Sequence, residues 1–171
     1  MMTVTSVVGN MRTDKRLKDV YQKLSMEDKV ERILLSRMEA QKSRIRRFSD
    51  AGTDIAINLN HNSMLKHGDV LLIENNRMII VEYEPEDVLG LKIKNNLSND
   101  QKVVIALKLG HIIGNLHRPI CIRDNVTYIP IQSESEIVNI RKILLPIIDY
   151  IDIHNEKIIF EQDEGAEVHA H

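Results

Sequence analysis

Three histidines carry most of the chemistry open to this chain. His117 stands in the run Gly114-Asn115-Leu116-His117-Arg118-Pro119, and His169 and His171 flank Ala170 at the far end. Neutral imidazole is a good ligand for borderline divalent metals such as nickel, copper and zinc. One imidazole sits just past a helix stop, and a pair sits on an acidic segment. That set suits capture and hand-over of an ion such as Ni2+. Position alone also fits a helix-end histidine whose ring caps the last carbonyls. A lone His-x-His is weak and fits an untethered tail equally well. His111 lies about 120° from His117 around a helix, so the two do not readily face one metal; it reads as structural or as a minor ligand. His61 and His67 read as turn residues, and His154 as a surface residue.

A thiol hydrolase is the competing chemistry, since Asn115, His117 and Cys121 are its residue types. They crowd into seven positions, whereas such catalytic sets are assembled from distant segments. Cys121 lies between Ile120 and Ile122, where a buried, inert thiol is expected. No enzyme activity is expected from this set.

The elements that must position these residues can be read from patterning. Val4 to Val8 is a short β-rich run closed by Gly9-Asn10. Residues 12–29 are charged and weakly periodic, compatible with a helix through Leu17, Val20, Tyr21 and Leu24. From Glu31 to Phe48 local propensity favours helix. Asp54 to Leu59, Val70 to Ile73 and Met78 to Tyr83 read as strands, the last two joined by the hairpin turn Glu74-Asn75-Asn76-Arg77. Pro85 marks a joint. Beyond it Val88–Ile93 reads as a strand, and 100–116 as a helix with Ser98 or Asn99 as N-cap. Gly114-Asn115 is the expected helix stop, because both residues tolerate left-handed angles. Ile120–Arg123 and Val126–Ile131 form a hairpin. A second helix starts at Ser133 with Glu136 as capping box, and Ile148–Ile153 is the last strand. The order β-α-β-β-α-β is the ferredoxin-like pattern. The expected class is therefore α+β: residues 1–84 a mainly β, partner- or peptide-binding domain, residues 85–153 a ferredoxin-like domain, and residues 154–171 a flexible acidic tail. Glu161–Glu167 has the composition of a disordered segment.

Bulk composition excludes several classes. Aromatics are only 4% with no Trp, and net charge is −2. A single-stranded nucleic-acid binder needs rings for stacking, and a phosphate binder a basic balance. The one basic cluster, Arg37, Lys42, Arg44, Arg46 and Arg47, reads as a solvated face or as a docking patch for an acidic partner. One cysteine permits no intramolecular disulfide and suits a reducing compartment. There is no signal-peptide pattern at Met1–Thr5 and no apolar run of about 20 residues. A cytoplasmic protein without membrane contact is expected.

The helix-end run Gly114-Asn115-Leu116-His117-Arg118-Pro119 inside a β-α-β-β-α-β domain resembles the UreE family of urease accessory proteins, the nickel metallochaperones. Arg46-Arg47-Phe48, Ala51-Gly52-Thr53-Asp54-Ile55 and Leu65-Lys66-His67-Gly68-Asp69-Val70-Leu71 resemble the N-terminal domain of that family. Phe160-Glu161-Gln162-Asp163-Glu164-Gly165-Ala166, running into His169 and His171, resembles its C-terminal end. The resemblance covers residues 31–171 and implies strands for parts of 31–49. It implies a homodimer with His117 as the dimer-interface metal ligand, supplemented by His169 and His171. The implied cargo is Ni2+, with Zn2+ or Cu2+ able to substitute. The implied partners are the urease accessory GTPase and, through it, the urease apoenzyme complex. Three departures stand out. Leu116 occupies a position where many members carry arginine. Tyr128-Ile129-Pro130-Ile131 lacks the histidines some members have there, and only two histidines end the tail. Low metal stoichiometry follows. The alternative is a protein-interaction module without a metal role.

Overall fold

The computed structural model describes residues 1–60 and 63–162. The chain divides into two compact units between Glu84 and Pro85, and its class is α+β.

The first unit contains β1 (Met2–Val4), β2 (Gly9–Asn10), α1 (Lys15–Met26), β3 (Val30–Leu35), α2 (Arg37–Ala40), β4 (Arg44–Phe48), β5 (Asp54–Asn58), β6 (Asp69–Glu74) and β7 (Arg77–Tyr83). They form two sheets, ordered β1-β5-β4 and β2-β6-β7-β3. Both sheets feed one core through Ile33, Leu35, Ile55, Ile57, Ile79 and Val81. The charged stretch near the start is α1, capped by the Asp14 carboxylate accepting from the Arg16 amide at 2.8 Å. Its Leu24 joins a second cluster with Val30, Val70, Met78 and Ile80.

Local propensity fails over residues 31–48, where tertiary pairing wins. Ile33 and Leu35 alternate into the core while Leu34 stays exposed, and β3 pairs in parallel with β7. Only Arg37–Ala40 remains helical, held by a capping box between Ser36 and Glu39. The expected β6–β7 turn is present. Asn75 and Asn76 both take left-handed angles, φ 51° and 59°, which a two-residue turn of type I′ requires.

The second unit contains β8 (Glu86–Ile93), α3 (Asn99–Asn115), β9 (Cys121–Arg123), β10 (Val126–Pro130), α4 (Glu134–Ile143), a 3-10 turn (Leu145–Tyr150) and β11 (Ile151–Ile158). Sheet order is β11-β8-β10-β9, with all three pairs antiparallel. This is the ferredoxin-like arrangement. The helices cover one face through Leu89, Leu91, Ile105, Leu109, Ile113, Ile129 and Ile140.

Three details differ from the expected layout. The last strand runs from Ile151 to Ile158 rather than 148–153, because Pro146 starts a 3-10 turn and all eight residues of β11 pair with β8. Residues 154–158 are therefore sheet, not tail, and Phe160 beyond them is buried against Val88 and Cys121. Ser133 makes no side-chain cap of α4; the Glu136 carboxylate accepts instead from the Gln132 amide at 2.7 Å. Among the described residues, no helix is long and apolar enough to cross a membrane.

Candidate metal centre

Helix α3 places the main candidate. Ser98 and Gln101 close a capping box at its start. Ile105, Leu109 and Ile113 recur every fourth residue and bury one stripe against the sheet. Leu116 continues that stripe, packs against the same core and keeps a right-handed conformation as the C-cap. The reversal therefore falls two residues beyond Asn115. His117 itself takes the left-handed conformation, φ 49°, and its amide donates to the Gly114 carbonyl at 3.2 Å. Histidine tolerates this region better than most side chains.

The next residue ties the turn down from the other side. Arg118 donates to the Pro130 carbonyl at 3.2 Å and its guanidinium pairs with the Glu136 carboxylate. His117 thus stands between a residue packed on the core and one anchored to β10 and α4, while it remains exposed. That clamp was invisible in the sequence, because Arg118 and Glu136 are far apart along the chain.

The outer face of α3 leads to the same point. Val103 is 59% and Leu107 71% exposed. A Cβ added at Gly110 or at Gly114 would meet nothing within 4 Å. Residues 103, 107, 110 and 114 recur at helical spacing, so they share one face, and none is charged. Glycine in an exposed helix interior costs about 1 kcal/mol relative to alanine. Nothing among the described residues requires either glycine. Their smallness allows another surface to approach closely.

Similarity to known proteins covers both units. Residues 4–84 match the family model described as UreE urease accessory protein, N-terminal domain. A protein of Natronomonas pharaonis is 30% identical over 138 residues, 81% of this chain and 63% of that protein. One of Yersinia mollaretii is 30% identical over 135 residues, 77% of this chain and 57% of its own length. One of Yersinia pestis, strain Pestoides F, is 31% identical over 139 residues with the same two shares, 77% and 57%. Each is named urease accessory protein UreE. Residues 4–84 are thus similar to the UreE N-terminal domain, and the similarity to UreE urease accessory proteins extends over most of the chain. It spans about three fifths of the length of these UreE relatives.

His169 and His171, like His61, lie outside the described residues. Among the described residues no group of three His, Cys, Asp or Glu side chains could hold a metal ion. His111 Nε2 lies 3.3 Å from Asn115 Nδ2, so it has a partner on its own helix. His67 is structural: its Nδ1 accepts from the Tyr83 amide at 3.0 Å, and its ring lies 5.8 Å from that of Tyr83. His154 pairs with Glu156. Cys121 is 2% exposed, in the strand position expected of an inert thiol. In the basic cluster, Arg46 pairs with Asp54 at 2.8 Å and Arg47 with Glu39, as expected of a solvated face.

A single exposed imidazole is a poor metal site. Two of them, brought together by a two-fold axis, supply two nitrogens from one residue type. The α3 face ends at His117, so a symmetric contact through that face is the arrangement that would pair the rings.

Proposed function

We propose that this protein is a nickel-binding metallochaperone that delivers Ni2+ for assembly of the urease metallocentre. It is a carrier, not a catalyst, and works in the cytoplasm. The observation that supports this most is the position of His117: exposed, held by its neighbours, and at the end of an uncharged helix face with two unneeded glycines. In this reading the protein is a homodimer through α3, and the paired His117 rings grip one ion. Zn2+ and Cu2+ are tolerated substitutes, as imidazole nitrogen accepts all three. His169 and His171 complete the coordination from the C-terminal segment. Ordering a free segment costs conformational entropy, which limits affinity and suits a carrier that must release its cargo. The expected receivers are the urease accessory GTPase and the urease apoenzyme complex.

Isothermal titration with Ni2+ tests the assignment. About one tightly bound ion per dimer is expected, with tight binding abolished by His117→Ala. An isotherm unchanged by that substitution refutes it. Affinity should also weaken as pH falls toward about 6.5, because protons compete for imidazole nitrogens. Affinity flat from neutral to acid pH counts against histidine ligation.

A further inference from the structure

The second unit's sheet has a face that α3 and α4 do not cover. Alternation along the strands puts Val88, Gly90 and Lys92 of β8 on it, beside Tyr128 of β10 and His154 and Glu156 of β11. Register fixes the neighbours: Gly90 pairs with Tyr128 on one side and with His154 on the other. Gly90 is the gap in this row. A Cβ there would lie 2.5 Å from His154 Nε2 and 3.1 Å from Tyr128 Cε1. The imidazole therefore folds over the bare backbone of Gly90. Its centroid is 6.3 Å from that of Tyr128, with the two rings nearly perpendicular at 88°.

In that pose Nε2 of His154 lies 2.9 Å from Oε1 of Glu156. Both side chains remain open to solvent, 46% and 37% exposed.

We propose that His154 and Glu156 form a second, weaker site for a borderline divalent cation, on the sheet face opposite α3. The two donors lie close enough together to share one ion. Metal–nitrogen and metal–oxygen bonds to such ions are about 2.0–2.1 Å. Two donors 2.9 Å apart then subtend about 90° at the ion, the cis angle of octahedral and square-planar coordination. An ion bound at Nε2 selects the neutral imidazole tautomer that carries its proton on Nδ1, and takes the place of the Nε2–H toward the carboxylate. The Tyr128 ring stands edge-on to the imidazole and helps fix its orientation, as outer partners of metal ligands commonly do. Gly90 provides the room that keeps the imidazole in place. Two protein ligands leave the other positions to water, so the site exchanges its ion readily and does not store it.

This site does not depend on the reading of His117, and its test can be separated from it. The full-length protein carrying His117→Ala, His169→Ala and His171→Ala is titrated with Cu2+, the tightest binder of the series. Binding is followed by calorimetry and by the histidine ring signals in nitrogen-edited NMR spectra, which paramagnetic copper broadens. One equivalent per protomer is expected, with the His154 signals broadened first. Adding Glu156→Gln, which keeps a hydrogen-bond partner for the imidazole and so the local fold, should weaken binding at least tenfold. His154 signals that stay sharp while those of His111 or His67 broaden overturn the proposal, as does an affinity that Glu156→Gln leaves unchanged.

Discussion

His117 is placed where its backbone would rather have glycine, and that makes folding and metal binding separable in one series of variants. Its φ is 49°. The left-handed region costs a generic side chain about 1–2 kcal/mol, and histidine somewhat less, since it is enriched there. Glycine removes the strain but gains freedom in the unfolded chain, worth about 0.4–1 kcal/mol in the opposite direction. Net stabilisation by His117→Gly should be about 0.5 kcal/mol. His117→Ala keeps a Cβ and loses histidine's tolerance, so it should destabilise by a similar amount. The metal-free proteins should rank the glycine variant above wild type and wild type above the alanine variant, with a spread of about 1 kcal/mol. For a unit of this size that is about 4–8 °C in Tm. Calorimetric scans in chelator, at one protomer concentration, read the ranking, and titration with Ni2+ reads the ligand. Both variants should lose tight binding although one is more stable than wild type. If His117→Gly proves less stable than wild type, the left-handed helix end is refuted. If both variants still bind tightly, the ligand assignment is refuted instead.

Gly110→Ala with Gly114→Ala should raise the helix stability of the protomer, by up to about 1 kcal/mol per site, yet weaken self-association at least tenfold in sedimentation equilibrium; unchanged dimerisation would clear this face of any role. Arg118→Gln should cost about 1–2 kcal/mol by releasing the Glu136 pair, and should lower nickel affinity while leaving dimers intact; equal loss of both would show that the turn only supports the fold. Burial pushes the Glu31 carboxyl up, but hydrogen bonds from Ser49 and Thr53 and the Arg77 charge outweigh it and hold the group below its ordinary 4.5. A depressed folded-state value gives stability that is present above the unfolded value and lost as pH falls through the folded one. Acid unfolding below about pH 4.5 should therefore flatten in Glu31→Gln, as read by circular dichroism against pH.

The second unit was largely legible because its signals are local. Ser98 and Gln101 are three residues apart, and the apolar stripe of α3 repeats within one helix. The first unit was less so. Val30–Leu35 is a strand because β7 lies beside it, and β7 is more than forty residues away; the propensity of the segment itself points to helix. The helix end is a case between the two. Gly114 and Asn115 are the residues a local rule selects for a left-handed turn, but Leu116 has a place in the core and holds the helix until it is filled. His117 was legible as a candidate by its type and motif. What holds it was not, since Arg118 acts through Pro130 and Glu136 of other elements.

The two glycines of α3 and the left-handed histidine are one observation seen twice. Each is a position where the lone protomer gives up stability that a local substitution would restore. Core packing does not ask for Gly110 or Gly114, because the space around them is empty. Helix termination does not ask for histidine, because glycine would serve better. Losses of this kind persist in a sequence when something outside the protomer depends on them, and here they converge on one helix face and its last turn. A second copy of the chain docked along that face would remove the first loss, and an ion held between two His117 rings would account for the second. The apo protomer should then be measurably below the stability its fold can reach, and the metal-loaded dimer should recover it. Thermal scans over a range of Ni2+ concentrations should show Tm rising with free metal, in wild type and not in His117→Gly.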